Sequence, residues 1–212
     1  MLISLDSMMR THGIQPKGVL HLGAHLCEEA KAYHRARTGN VWWVEALPDL
    51  AAACEQKLVR YPDQQVIQAC VGATDGEAVT FHRANNGMSS STLELGTHLQ
   101  VSPDVSYVED VEMTTVTVDT LVTRHGIRAD FLNADLQGGE GLAFRGAERF
   151  LTKQVKYVYC ELNWRPLYQG CTLLPELDQQ LGSLGFERFD TMMAGNSGWG
   201  DGLFARPEAL GL

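Results

Sequence analysis

The residues best suited to chemistry are an acid and a glycine turn near the start of the chain. Residues 19–29, "VLHLGAHLCEE", read as a buried strand that runs into a turn at Gly23 and then a helix. A glycine directly after a parallel strand lets the backbone approach a ligand, and a following helix N-terminus offers unpaired N–H groups. The next strand ends in Glu45, 22 positions after Gly23, where a carboxylate can accept hydrogen bonds from both hydroxyls of a ribose. Together they point to a nucleoside ligand. A dinucleotide turn wants GxGxxG, but Gly23-Ala24-His25-Leu26-Cys27-Glu28 keeps only the first glycine, which leaves little room for a pyrophosphate. S-adenosylmethionine (SAM), a nucleoside without phosphates, suits such a turn better, with its ribose on Glu45 and its amino-acid end at Gly23. The plainer alternative is a simple strand-to-helix connection. His21 and His25 are four apart, yet one lies on the strand and the other in the turn, so the helical HxxxH zinc geometry does not apply.

Further acids stand at the ends of later strands. Asp135 begins "DLQGGE" at the carboxyl end of a central strand, where open α/β sheets bind ligands. It reads as a proton acceptor or acceptor-orienting group, or else as the cap of a helix starting near Gly139. Gln137 and Glu140 can line the same mouth, although Glu140 can equally complement a helix dipole. His98, in a long polar segment, has an ordinary pKa near 6.5 that suits it to take a proton at neutral pH. Its alternative is a solvated or packing histidine. His82, in an alternating stretch, reads as structural. Asp135, Glu140 and Glu161 offer the oxygen donors of a divalent-cation site, but acids at strand ends are common without one, and no metal ligand is assigned. Trp164, Tyr168 and Trp199 form either an apolar acceptor wall near Asn163 or ordinary packing.

The elements that must position these residues follow from periodicity. Strand candidates cover 18–22, 41–45, 65–70, 131–134 and 156–161, alternating with helical segments such as "CEEAKAYHRAR" and "PDLAAACEQKLVRYP", in which Pro48 suits a first helical position. This is the pattern of an α/β sheet with helices on both faces. Residues 1–17 read as an N-terminal helical extension. Residues 84–118 carry a polar loop and added β-structure on the substrate side, too long for a simple turn. The tail, "GFERFDTMMAGNSGWGDGLFARPE", reads as two strands joined by a glycine-rich loop, an antiparallel edge hairpin. All 212 residues are expected to form a single domain.

A net charge of −9, a sequence pI near 5.2 and the lack of any basic run exclude nucleic acid and anionic membrane as electrostatic partners. No apolar run approaches the roughly 18 residues of a membrane span, and no basic n-region opens the chain. A cytoplasmic location is expected. The five cysteines are odd in number and lack a CxxC pair, so they read as buried thiols and not as a disulfide framework or a structural zinc site.

From Val19 to Phe189 the sequence resembles the FkbM-type SAM-dependent methyltransferases. His21, Gly23, Ala24, His25, Glu29 and Tyr33 match the family's opening motif, with Cys27 where a second glycine is usual. "WWVEALPDL" is similar to the family's strand that ends in an acid before a proline. "QACVGATDGEAVTFHRANNGMSSSTL" resembles its third strand, Asp-Gly hairpin and serine-rich loop, and His98 and Pro103 match the residues that follow it. "DFLNADLQGGEGLAFRGAERFL" places Asp135, Gln137, Gly138 and Glu140 on a paired signature, with Asn133 where lysine is common; "YVYCELN" resembles the last central strand.

The resemblance implies a Rossmann-like class I methyltransferase fold: a central, mostly parallel sheet, an antiparallel C-terminal hairpin and helices on both faces. It also implies methyl transfer from SAM, with S-adenosylhomocysteine (SAH) as product, to a hydroxyl oxygen of a small natural product or sugar. The cofactor contacts assigned are Leu22, Gly23, Ala24, His25, Glu45, Ala46, Cys70, Val71, Ser89, Ser90, Asp135 and Leu136, with Ser91 nearby. Asp135, His98 and Gln137 are the catalytic candidates. The expected partner is a small-molecule acceptor, with monomer and homodimer both open. A nicotinamide-linked oxidoreductase suffers from the missing glycines. A SAM-binding module without turnover would keep Gly23 and Glu45 but lose Asp135, Gln137 or His98, all of which still match.

Overall fold

The computed structural model describes residues 2–211. The first strand, β1 (Gly18–Leu22), is buried along its whole length, because its apolar run has helices to cover both faces. β2 (Asn40–Glu45) and β3 (Gln64–Gln68) follow on one side of it, each in parallel register. On the other side come β7 (Phe131–Ala134) and β8 (Tyr157–Asn163), also parallel. The tail supplies β9 (Glu187–Met193) and β10 (Trp199–Ala205), and β10 inserts antiparallel beside β8 while β9 takes the outer edge. The order is therefore β3-β2-β1-β7-β8-β10-β9, the class I methyltransferase arrangement expected from the sequence.

Side-chain alternation along the strands divides the core in two. Leu20, Leu22, Trp42 and Val44 face α5 (Val118–His125), α6 (Glu140–Arg145), α7 (Glu148–Lys153) and α8 (Leu174–Ser183). Val19, Val41, Trp43, Phe131 and Tyr159 face α1 (Leu5–His12), α2 (Ala30–Ala36) and α3 (Pro48–Leu58). α1 is the helical part of the N-terminal extension. The Ser4 side chain accepts from Ser7 N–H to start it, and left-handed Gly13 ends it.

The third strand differs from its expected 65–70 span. It breaks at Ala69, whose N–H bonds to Glu45 O, and the chain moves into a separate three-stranded sheet ordered β4-β6-β5. There β4 (Cys70–Val71) runs parallel to β6 (Tyr107–Val116), which pairs antiparallel with β5 (Ala78–Ala84). The alternating stretches around residues 84–118 thus form real strands. The polar segment between them folds over the carboxyl ends of β1, β2 and β7 and contains the one-turn helix α4 (His98–Val101). No helix among the described residues is long and apolar enough to cross a membrane, and all five cysteines are buried and free.

Candidate active site

A cavity of about 490 Å³ opens where β1, β2 and β7 end. Gly23, Ala24, His25, Glu45, Ala46, Cys70, Val71, Ser89, Ser90, Asp135 and Leu136 all line it, as do His98 and Gln137. Leu22 is a correction. Strand alternation turns its side chain into the core, and it reaches the site only through its carbonyl, which accepts the N–H of Asp135 at 3.0 Å. Ser91 also stays off the wall; its hydroxyl donates to Gln137 O at 2.8 Å and fixes that turn.

The opening turn is built differently from the expected strand-to-helix junction. α2 begins only at Ala30, and the N–H groups of Gly23 and Ala24 are both taken by Val44 O at 3.0 Å. Gly23 has φ 83°, and a Cβ there would overlap the carbonyl oxygen of Asp135. The glycine is needed because two turns, one after β1 and one after β7, meet backbone to backbone.

Cys27 lies on the same turn with φ 51°, the left-handed region that glycine would adopt without strain. Its buried thiol hydrogen-bonds with Cys54, whose Sγ in turn donates to His25 O at 3.1 Å. Cysteine accepts the backbone strain and fills the space under the turn.

Glu45 is buried, and its two oxygens are held separately. Oε2 accepts the N–H of His25 at 2.8 Å and Oε1 that of Leu47 at 3.0 Å. Burial nevertheless holds its carboxyl above the usual carboxylate range. Each oxygen keeps a lone pair for a further donor. His25 also pairs with Glu28 at 2.7 Å, which raises the histidine's pKa.

At the other end of the cavity Gln137 is the hub. It adopts φ 52° ahead of left-handed Gly138, and a Cβ on Gly138 would crowd Cys171 and Tyr168. From that strained position its Nε2 donates to Asp135 Oδ1 at 2.7 Å and to Glu161 Oε2 at 2.9 Å, while its Oε1 accepts from Tyr168 OH at 2.6 Å. Burial raises the carboxyls of Asp135 and Glu161.

His98 is 9% exposed, lies 5.3 Å ring to ring from Tyr168, and its Nδ1 has no hydrogen-bond partner among the described residues. Burial lowers its pKa below 6.5, so the ring is neutral at physiological pH. Of the proposed acceptor wall, Tyr168 and Trp199 line the cavity, whereas Trp164 packs on the core. Asn163 is buried away from it and contacts Glu161 at 3.3 Å. His82 is held by Asp110 at 2.7 Å and stacks on Tyr107, a structural role. Among the described residues no three His, Cys, Asp or Glu side chains are grouped to hold a metal ion.

One cavity residue escapes sequence reasoning. Asp201 stands opposite Glu161 in the β8–β10 ladder, accepts Leu2 N–H at 2.5 Å and is hydrogen-bonded by Tyr159 OH. Only the antiparallel register, which pairs "GDG" with "CEL", could have disclosed it. His21 also lines the cavity. It is stacked on Trp43, with Nδ1 3.1 Å from Tyr33 OH, and burial drops its pKa to about 3.

Glu140 supports the site from behind. Its Oε1 accepts the N–H of Leu136 at 2.7 Å, and burial pushes its pKa up to about 8. In the unfolded chain the value returns to 4.5, so between the two the native state holds a proton that the unfolded state lacks. The resulting stabilisation is complete below the lower value and is lost as pH rises through the upper one. Glu140→Gln keeps the carbonyl acceptor and does not titrate. Urea midpoints should therefore fall more steeply for wild type than for the variant between about pH 5 and about pH 8. Parallel curves would show that Glu140 carries its charge when folded.

Comparison with known proteins then decides the family. The sequence profile of the Methyltransferase FkbM domain matches residues 15–188. The chain belongs to the FkbM methyltransferase family. Among solved structures, an FkbM methyltransferase from Methylobacillus flagellatus KT superposes with TM-score 0.59 at 16% identity, over 89% of this chain and 43% of that one. A SAM-dependent methyltransferase from Aquifex aeolicus gives 0.54 at 9% identity, over 95% and 88%. A ribosomal protein L11 methylase from Lactobacillus delbrueckii subsp. bulgaricus gives 0.53 at 14%, over 96% and 76%. At these identities the likeness is one of fold. The FkbM chain spans less than half of the Methylobacillus protein. No functionally curated sequence matches it.

Proposed function

We propose that this FkbM chain is a SAM-dependent O-methyltransferase acting on a hydroxyl group of a small molecule. The observation that carries the reading is a single cavity with the doubly anchored Glu45 at one end and the Asp135–Gln137–His98 group at the other. Its volume, about 490 Å³, is that of an ordinary small-molecule site. The residues present suit SAM. Glu45 would hold the ribose hydroxyls, Cys70 and Val71 would flank the adenine, Ala46, Leu136 and the Ser89–Ser90 pair would close around the nucleoside, and the turn of Gly23, Ala24 and His25 would face the amino-acid end.

When bound, SAM supplies a methyl carbon made electrophilic by the sulfonium, whose sulfur keeps the electron pair of the broken bond and leaves as SAH. The protein then has two tasks, alignment of the acceptor oxygen and removal of its proton. Gln137, locked by three side-chain hydrogen bonds, supports the first together with Asp135. His98 would perform the second: its ring lines the cavity, and burial lowers its pKa, so a neutral imidazole is there to accept the hydroxyl proton. No step requires a metal ligand.

Calorimetry with SAM and SAH, followed by SAH release in the presence of hydroxylated small molecules, tests the reading. Micromolar binding and acceptor-dependent release are expected. A protein that binds neither nucleoside is not a methyltransferase of this kind.

A further inference from the structure

The turn that leads into the cavity holds a pair of thiols that the proposed reaction does not use. Cys27 lies on the turn itself and Cys54 on α3, and both are buried. They form a relay in which the Cys27 S–H donates to Cys54 Sγ, and the Cys54 S–H donates to His25 O at 3.1 Å. The N–H of that same His25 meets Glu45 Oε2 at 2.8 Å. One residue thus links the thiol pair to the carboxylate assigned to the ribose.

The backbone above the pair is strained. His25 has φ 45° and Cys27 φ 51°, two non-glycine residues in the left-handed region within three positions, and α2 begins only at Ala30. A strained turn outside regular structure opens locally, which gives a molecule of water's size a way to the buried sulfurs. The two thiols also differ from the rest. Burial pushes those of Cys70, Cys160 and Cys171 up, and giving its hydrogen to Cys54 raises Cys27. Of the five, Cys54 alone is held below its ordinary range, by the Cys27 S–H aimed at it. The charge of Lys57, which donates to Leu26 O at 2.5 Å, acts in the same direction. An activated thiol with a second thiol in contact is the arrangement of an oxidisable pair.

We propose that Cys27 and Cys54 are a modification site, which hydrogen peroxide joins in a reversible disulfide that releases the His25 anchor and weakens cofactor binding. This rests on the methyltransferase reading and adds to it a control of the cofactor site. The Cys54 thiolate attacks one peroxide oxygen; an S–O bond forms, the O–O bond breaks, and the hydroxide released takes up a proton to leave as water. Cys27 then attacks the sulfenic sulfur; the S–S bond forms, the S–O bond breaks, and a second water carries off the Cys27 proton. Two electrons pass from the thiols to the peroxide. The product draws the sulfurs to about 2.05 Å, closer than hydrogen-bonded thiols, and removes the proton that Cys54 gave to His25 O. The turn then shifts toward α3, and His25 N–H leaves the position that fixes Glu45 Oε2.

The test treats the whole chain with hydrogen peroxide, maps disulfides by mass spectrometry, and measures SAH affinity by calorimetry before oxidation, after it, and after dithiothreitol. Tryptic peptides 18–31 and 38–57 should be joined. SAH binding should weaken at least about 10-fold, the scale of one lost hydrogen bond to a charged group, and dithiothreitol should reverse both changes. Cys27→Gly, which suits the left-handed turn, and Cys54→Ser, which keeps a donor for His25 O, should bind SAH like the reduced wild type and ignore peroxide. Absence of the joined peptides, or full SAH affinity in the joined protein, overturns the inference. So does an equal peroxide loss in either variant, which would place the oxidation elsewhere, as at Cys70 in the cavity wall. A reduced protein that binds no SAH strikes the methyltransferase reading, whereas SAH binding indifferent to the disulfide strikes only this inference.

Discussion

Glu45→Ala should weaken SAM binding by about 100-fold, the expected loss when two hydrogen bonds to a charged acceptor disappear at about 1.5 kcal/mol each. The carboxylate is fixed before any ligand arrives, because backbone N–H groups of His25 and Leu47 hold one oxygen each. A ribose bound as proposed would therefore meet an acceptor that needs no ordering, and little of the interaction would be spent on immobilising a side chain. Alanine also leaves those two N–H groups without partners and lowers stability, so Glu45→Gln belongs beside it. Glutamine keeps one carbonyl acceptor and should lose about 10-fold. Calorimetry with SAM and SAH reads both. Wild-type affinity in a folded Glu45→Gln and Glu45→Ala pair would remove the ribose assignment.

His98→Gln should lower kcat by about 100-fold to 1,000-fold with little change in the KM for SAM, the range expected for a general base. The pH profile separates this role from a packing one. Burial lowers the His98 pKa, so the wild-type rate should fall on the acid side only below pH 6.5, as the ring takes a proton and can no longer accept one. The variant should lose that limb. A reduced but parallel profile would make His98 a packing residue against Tyr168.

The central strands were legible because 18–22, 131–134 and most of 157–163 are largely apolar runs of strand length, and burial on both faces leaves such runs few alternatives. The split between β3 and β4 was not, since "QQVIQACV" has no turn residue at Ala69. Ala69 N–H still bonds to Glu45 O as the last rung beside β2, and the chain then leaves to pair Cys70 and Val71 with Thr115 and Val116 of β6, a partner distant in sequence. Glu45 itself was readable from its spacing to Gly23, although the glycine serves a backbone meeting with Asp135 and not a helix N-terminus. Asp135, Gln137 and His98 were found as residue types. Their joining through Tyr168 and Glu161 depends on the left-handed turn at Gln137, which nothing in "DLQGGE" announces for a non-glycine residue.

The hydrogen bond between Leu2 N and Asp201 spans 199 positions, and Ile3 N meets Tyr159 OH across 156. Segments far apart in sequence thus meet at the acceptor end of the cavity. During synthesis the strands β1 to β8 can pair while β10 is still unmade, so this wall closes only once β10 has joined the sheet. In hydrogen exchange the Leu2 and Ile3 amides, each held by one side chain, should open before those of β10, which is buried and paired on both sides.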